Sequence, residues 1–379
     1  MAHLASYLEL DGTAPAHNAR LFRALLGPQT RFGAVIKGNA YGHGFRELLP
    51  LASAAADVLY VIDPADGLAA RAASERQIVV LGATSAEEAV ALARAGVDAV
   101  VADAGAAAWP AALRAAGVKL RAHVHIDTGL GREGFTLDRL PQDVEFLRDA
   151  RDVIDTAGAL SHFANTEDVT EQDYAEEQLR AFEEGSQRLR AALGLTQLER
   201  HFAASAAALL LPASRFDAVR VGIAFYGLWP SSETRLSARA VLGNIGELKP
   251  VLSWRCPSQA VKWLPSGSYV GYGCTYRCAA DTRIAVLPVG YFDGYPRLLA
   301  GRAHALVNGQ RCPVLGRVMM NHLVIDVTRA VKDEAPLTAT LLGRDGGETL
   351  SAEQLAAWAQ TIHYELVTRL GAHLERRVR

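Results

Sequence analysis

The first 225 residues alternate short apolar, β-branched runs with alanine- and glutamate-rich stretches of helical period. Ala86–Ala95 and Ala175–Leu193 are the clearest helical stretches. Strands that alternate with helices predict parallel pairing through crossover connections. Eight strands favour closure into a (β/α)8, TIM-like barrel, and a doubly wound open sheet is the alternative that periodicity leaves open. The predicted strands are Arg31–Ile36, Val58–Ile62, Ile78–Leu81, Val97–Val101, Leu120–Ile126, Ala157–His162, His201–Ala204 and Ala218–Ile223.

The pattern changes past about residue 240. Helical stretches nearly vanish until Ser351, and short apolar runs are separated by Gly, Pro and Asp, which predicts a separate, mostly β domain. One helix, Ala352–Gln360, is expected near the end, and the domain boundary is expected near Ser237–Lys249. The predicted strands of this part include Val251–Arg255, Ile284–Val289, Ala303–Val307 and Leu323–Val327.

Composition excludes several classes of protein. A formal net charge of −2 gives no electrostatic case for binding nucleic acid or an anionic membrane. The N-terminus lacks the features of a signal peptide, and no apolar run reaches the roughly 20 residues of a membrane span. The four cysteines form no C-x-x-C pair and have no zinc-site spacing, so we expect reduced thiols, no metal and a cytoplasmic location.

The strongest chemical signal is AVIKGNAYGHG, residues 34–44. Lys37 ends a predicted strand and is followed by three glycines within seven residues. The C-terminal ends of barrel strands carry the catalytic groups, and a desolvated lysine there is a nucleophilic amine suited to a Schiff base. A surface lysine that leaves a strand for a glycine turn is equally consistent with this motif alone.

AVIKGNAYGHG resembles the pyridoxal-phosphate (PLP) lysine signature of alanine racemases, which have an N-terminal barrel and a C-terminal β domain. YLELDGTAPAHNARLF, HIDTGLGREGF, SHFANTEDV, HFAASAAALL, VRVGIAFYG, VGYGCTYR, PVGYFDGYPR, GRVMMNH and HYELVTRL follow in the order of that family. The resemblance implies a barrel over 11–240 and a β domain over 1–10 and 241–379, with its first strand from the N-terminus. It also implies an isomerase, alanine racemase, with Lys37 bound covalently to PLP. Biosynthesis of D-alanine for peptidoglycan is the expected role, and a catabolic or specialised role is the alternative that the sequence leaves open.

The same resemblance assigns the remaining cofactor residues. Arg220 is expected against the pyridine nitrogen, where a guanidinium cannot accept a hydrogen bond, so the ring nitrogen stays unprotonated. His162 and His201 are expected to extend this polar chain. The phosphate is expected at Tyr41, Ser205, Gly222, Ile223 and Tyr364.

The second base is expected to be Tyr272, while Tyr276 is expected in the core. By resemblance, Tyr272 removes the proton of L-alanine and Lys37 that of D-alanine, and Tyr272 reaches the PLP of the partner in a head-to-tail homodimer. The substrate is expected to contact Arg132, Tyr291, Met320 and Asn321.

Gly129, Gly131 and Gly134 match G-x-G-x-x-G, but no helix opens inside the motif, so we attribute the match to chance. Three residues depart from the family. His125 stands where some racemases carry a carbamylated lysine, Ala204 replaces an asparagine, and Asn321 replaces an aspartate common after the methionine.

Other functions fit the sequence less well. A broader-specificity or serine racemase is the nearest alternative, because an apolar pocket rejects an added hydroxyl by only about 100-fold. A PLP-dependent decarboxylase of this barrel type usually carries a cysteine and an acidic pair that bind the substrate. Cys274 and Cys312 do not lie in motifs of that kind. A non-catalytic PLP carrier would lack a β domain, and a class I aldolase would leave the phosphate-site matches unexplained.

Overall fold

The computed structural model describes residues 5–167, 169–170, 172–243 and 245–379. The first four residues of the expected N-terminal segment lie outside it, as do Asp168, Glu171 and Asn244. The chain divides into two compact units. The barrel unit comprises Thr13–Lys37 and Leu48–Lys249. The β unit comprises the described residues up to Gly12, together with Gly38–Glu47 and Pro250–Arg379.

In the described residues, eight parallel strands close into a barrel, because the strand at Asp98–Val101 pairs with the strand at Leu120–Asp127. The predicted TIM-like barrel is confirmed, and the open sheet is excluded. The sixth strand begins three residues before its predicted start, at Ile154, and ends at Leu160. The strands are Arg31–Val35, Val58–Val61, Gln77–Val80, Asp98–Val101, Leu120–Asp127, Ile154–Leu160, Glu199–Ala204 and Ala218–Val221.

Local signals explain the helices around the barrel. Ser85 and Glu88 form a capping box at the start of Ala86–Ala95, and Gly96 ends that helix in a left-handed conformation. The buried residues of Asp173–Leu193 recur at helical spacing. The helices are Ala14–Leu26, Phe45–Ala55, Pro64–Arg71, Ala86–Ala95, Trp109–Ala116, Leu140–Asp143, Glu145–Asp149, Asp173–Leu193, Ser205–Leu210 and Ser232–Leu242. None of the described helices is both long and apolar enough to cross a membrane.

The β unit is a mixed sheet whose strand at Tyr7–Leu10 comes from the N-terminus. This strand pairs antiparallel with Leu252–Pro257 and parallel with Glu375–Val378. The prediction of a mostly β region is confirmed. Its strands are Tyr7–Leu10, Leu252–Pro257, Ala260–Leu264, Tyr269–Val270, Tyr276–Arg277, Thr282–Leu287, His304–Val307, Gln310–Leu315, Leu323–Asp326, Thr338–Asp345, Glu348–Leu350 and Glu375–Val378.

The helix expected at Ala352–Gln360 is confirmed, but the expectation that it is the single helix of this region was wrong. Two follow each other, Ala352–Ala359 and His363–Thr368. Ser351 caps the first helix through its side chain, and Gln360 ends it with φ of 57°. The second helix has only six residues, too few to show helical periodicity in the sequence.

Candidate active site

Lys37 follows the first barrel strand and leads into an unusual backbone turn. Gly38, Asn39, Ala40 and Tyr41 all have positive φ between 52° and 60°. A left-handed turn costs roughly 1–2 kcal/mol for each non-glycine residue. Hydrogen bonds hold the turn, including one from the Phe45 N–H to Oδ1 of Asn39 at 2.8 Å. Strain of this kind is concentrated at functional sites.

The surroundings of Lys37 disfavour its charged form. Burial lowers the pKa of Lys37, and the guanidinium groups of Arg132 and Arg220 lower it further. The carboxylate of Glu133 acts in the opposite direction, because it stabilises the ammonium ion. The balance favours a nucleophilic amine at the end of the strand.

Arg220 is buried in the barrel at the third position of its strand. Its terminal nitrogen NH1 donates to the carbonyl oxygen of His201 and lies 3.1 Å from Nδ1 of the same residue. The other terminal nitrogen, NH2, donates to the carbonyl oxygens of Ser161 and Phe202. NH2 also lies 3.3 Å from Nδ1 of His162. Among the described residues, both terminal nitrogens of Arg220 thus have hydrogen-bond partners, and its Nε–H is the donor that has none.

The two predicted histidines both lie beside this guanidinium. Burial is the main cause that lowers the pKa of His162, to about 3, and Arg220 lowers it further. Burial also places the pKa of His201 well below its ordinary value. Both imidazoles are therefore neutral near pH 7. His201 is hydrogen-bonded in turn to His123, and His123 to Asp98, two residues that the sequence analysis did not select.

The predicted phosphate-binding residues of the barrel unit lie close together. Oγ of Ser205 accepts a hydrogen bond from the N–H of Gly222 at 3.0 Å. Ile223, next in the chain, opens a short 3-10 turn. Ala204 pairs with Arg220 across two neighbouring strands and directly precedes Ser205, so the position that departs from the family lies next to both residues.

Arg132 lies on the loop after the fifth barrel strand, and its neighbour Glu133 was missed by sequence reasoning. The guanidinium donates to Oε1 of Glu133 from Nε at 3.2 Å and from NH2 at 2.8 Å. Nδ1 of His125 is buried with no hydrogen-bond partner among the described residues, and it lies 3.7 Å from the same oxygen. Burial, then Arg220 and Arg132, lower the pKa of His125 to about 3.

The other predicted site residues belong to the β unit. The rings of Tyr41 and Tyr364 lie 6.4 Å apart, and burial raises the pKa of Tyr41 to about 12. Backbone hydrogen bonds join the turn that contains Tyr291 to the segment that contains Met320. In one of them, the N–H of Phe292 donates to the carbonyl oxygen of Met320 at 3.0 Å.

Tyr272 and its neighbours are accessible in the single chain. The exposed fraction is 71% for Tyr272, 55% for Met320 and 45% for Tyr291, and Asn321 is also exposed. Tyr276, four residues after Tyr272, instead packs against a buried cluster that includes Val270.

Comparisons with known proteins agree along the whole chain. The family model "Alanine racemase, N-terminal domain" matches residues 10–230, and "Alanine racemase, C-terminal domain" matches residues 251–378. An alanine racemase of Leptospira interrogans is 33% identical over 382 residues, which cover 98% of this chain and 95% of that protein.

Solved structures agree as well. The structure of alanine racemase from D-cycloserine-producing Streptomyces lavendulae is 33% identical with a TM-score of 0.91, over 100% of this chain and 98% of that chain. Alanine racemase from Bacillus anthracis, solved with bound L-Ala-P, is 30% identical with a TM-score of 0.90, over 100% and 96% of the two chains. The chain therefore belongs to the alanine racemase family.

Proposed function

We propose that this protein is a PLP-dependent isomerase that interconverts L- and D-alanine with two bases, Lys37 and Tyr272. One observation carries the proposal. In a chain of this family, the barrel unit contains both Lys37, whose pKa is lowered, and the buried Arg220, whose positive charge contributes to that lowering. The two side chains occupy the same barrel unit. Neither group alone would indicate the reaction.

The residues of the barrel unit fit PLP. The amine of Lys37 is suited to a covalent link with the aldehyde of the cofactor. The Nε–H of Arg220 is the donor left for the pyridine nitrogen. The Ser205 hydroxyl and the backbone N–H of Ile223 are proposed to bind the phosphate, together with Gly222, whose N–H donates to Oγ of Ser205 in this structure. Tyr41 and Tyr364 are proposed to add their hydroxyls. When bound, PLP delocalises the negative charge that forms on the α-carbon.

The protein must remove a proton from one side of the α-carbon and return it to the other. Nζ of Lys37 would hold the proton of D-alanine, and the phenol oxygen of Tyr272 that of L-alanine. A phenolate needs a cationic neighbour. Because His162 is neutral near pH 7, Arg220 is the cation proposed for that role, with His162 and His201 holding it in place. The substrate carboxylate would bind Arg132 and the backbone N–H of Met320, with Tyr291 and Asn321 nearby.

We further propose a homodimer with shared active sites in the cytoplasm. The exposed Tyr272, Met320 and Tyr291 support the dimer, because large side chains that the single chain leaves exposed are candidates for an interaction surface. The four cysteines are unpaired, which is usual for a reducing compartment.

A circular-dichroism assay of racemisation over a panel of amino acids tests the proposal. We expect conversion of alanine in both directions, with serine as the most informative competitor. Borohydride reduction followed by peptide mapping is expected to find the cofactor on Lys37. A label on another lysine, or a protein that racemises none of the panel, would contradict the proposal.

A further inference from the structure

A line of hydrogen bonds crosses the interior of the barrel beneath Arg220. NH1 of Arg220 lies 3.1 Å from Nδ1 of His201. Nε2 of His201 lies 3.0 Å from Nδ1 of His123. Nε2 of His123 lies 3.1 Å from Oδ2 of Asp98. All four side chains are buried, and they come from four different barrel strands.

Arginine fixes the direction of every bond in this line. A guanidinium has donors only, so Nδ1 of His201 must accept. The single proton of this neutral imidazole then sits on Nε2 and is donated to Nδ1 of His123. His123 in turn carries its proton on Nε2 and donates it to the carboxylate of Asp98. The line therefore begins at a cation and ends at an anion, with one arrangement of protons.

We propose that Asp98 and His123 are positioning residues for Arg220, which they hold in one orientation through His201. The proposal rests on the proposed role of Arg220 toward the cofactor. The residues that orient Arg220 would then reach the end of the barrel where its strands begin, because Asp98 is the first residue of its strand. Asp98 is held there by Nε2 of Gln77, which donates to the same oxygen at 2.7 Å.

The neighbouring strand leaves space for this arrangement. A Cβ atom at Gly158 would lie 2.2 Å from Nδ1 of His123, the atom that accepts from His201. The φ of Gly158 is not in the left-handed region, so its backbone does not need glycine. The absence of a side chain at position 158 is instead required by the His123 ring.

The same region admits a second interpretation, as a metal site. Ligand atoms of His123, Glu199 and His201 lie within 4.8 Å of one another. However, the hydrogen bonds occupy both nitrogens of each imidazole, and Arg31 and Arg121 form ion pairs with Glu199. A metal ion would have to displace these partners, so the geometry favours the proton-ordered line.

Nuclear magnetic resonance of cofactor-free protein labelled with ¹⁵N-histidine tests the order of the protons directly. His201 and His123 are expected as neutral rings protonated on Nε2, and their signals are assigned by their loss in His201→Gln and His123→Gln. A proton on Nδ1 of either ring, or a doubly protonated ring, overturns the proposal. So does stoichiometric binding of added Zn²⁺ to both rings that Glu199→Gln abolishes. These readouts do not require racemase activity, so they separate this proposal from the proposed function.

Variants test the consequence for Arg220. Gly158→Ala is expected to lower kcat for alanine by about 10–100-fold, the usual effect of losing an orienting partner, with KM within about twofold. Gly347→Ala, where a Cβ would have no atom of the described residues within 4 Å, is the matched control. Asp98→Asn preserves the shape and is expected to lower kcat about tenfold, against the exposed Asp155→Asn as control. Native kcat in Gly158→Ala and Asp98→Asn, with an unchanged tautomer pattern, would overturn the proposal, and Asp98→Asn decides alone if Gly158→Ala does not fold.

Discussion

Arg132 and Glu133 are neighbours in the chain and are paired through their side chains, with NH2 of the arginine 2.8 Å from Oε1 of the glutamate. The same oxygen lies 3.7 Å from Nδ1 of His125, the position where some family members carry a carbamylated lysine. A negative charge is thus present beside Arg132, and Glu133 supplies it. We expect this pair to fix the direction of the guanidinium that is proposed to bind the substrate carboxylate.

Glu133→Gln is therefore expected to weaken substrate binding more than catalysis. Exposed ion pairs contribute about 1 kcal/mol or less, so KM for alanine should rise up to about fivefold, with kcat nearly unchanged. Steady-state kinetics in both directions measure the change. Glu184→Gln, which breaks the exposed pair with Arg188, is the control. An unchanged KM, or a loss confined to kcat, would show that Glu133 does not orient Arg132.

Tyr272→Phe is expected to abolish removal of the proton from L-alanine and to leave exchange of D-alanine with solvent deuterium in place. Loss of a positioned base costs about 10²–10⁴-fold. Proton magnetic resonance of each isomer in deuterated buffer measures the two exchange rates. If Tyr272 has no role as a base, the loss is modest and equal for both isomers, because its exposed side chain then serves neither direction of proton transfer. Tyr276→Phe is the control for removing a nearby phenol.

Two inactive variants are expected to complement each other in a mixed dimer. If Tyr272 serves the partner's site, one of the two sites in a Lys37→Ala/Tyr272→Phe heterodimer contains both native bases. Activity should then return as the subunits exchange, which mass spectrometry of isotopically labelled protomers can follow. Exchange without any recovery would show that Tyr272 acts within its own chain.

Arg220→Glu is expected to slow racemisation and to increase transamination. A carboxylate opposite the pyridine nitrogen allows that nitrogen to be protonated, which strengthens the cofactor as an electron sink. The ratio of pyruvate formed to alanine racemised measures the change. Arg220→Lys keeps the positive charge and is expected to lower activity without raising that ratio. An unchanged ratio in Arg220→Glu would place Arg220 away from the ring.

The pH dependence of stability should reveal the burial of His43. Its Nδ1 lies 2.9 Å from the carbonyl oxygen of Tyr41, and burial lowers the pKa of His43 to about 4. Between pH 6.5 and about 4 the unfolded chain binds this proton and the folded chain does not, so stability falls as the pH is lowered. The contribution is on the order of 3 kcal/mol. Urea unfolding of cofactor-free His43→Asn across this range should show a proton uptake about one smaller than that of the native protein.

Local pattern predicted the barrel well, because each buried strand stands out as an apolar run bounded by helical stretches. Closure of the sheet depends on the pairing of Asp98–Val101 with Leu120–Asp127, and no run on its own encodes that pairing. The short helix His363–Thr368 was missed because a single turn and a half carries too little periodicity.

Some residues of the candidate site could also be predicted from the sequence, and others could not. Lys37 follows from a strand that ends in a glycine-rich turn, and the resemblance to a family supplied Tyr272 and Arg220. His123 and His125 alternate along one strand, so both point into the barrel, and this spacing was an available signal. Glu133 left no such signal, because a charged residue in a loop is ordinarily solvated.

The buried line from Arg220 to Asp98 limits how this barrel can be engineered. Branched apolar side chains ordinarily dominate the interior of such a barrel. Here, replacing His123 or His201 with leucine would remove one hydrogen-bond partner of a buried guanidinium or carboxylate, and a lost hydrogen bond to a charged group costs about 1.5–3 kcal/mol. Thermostable variants of this protein are therefore better sought on the outer helices, where caps and surface charges can be changed without touching the axis.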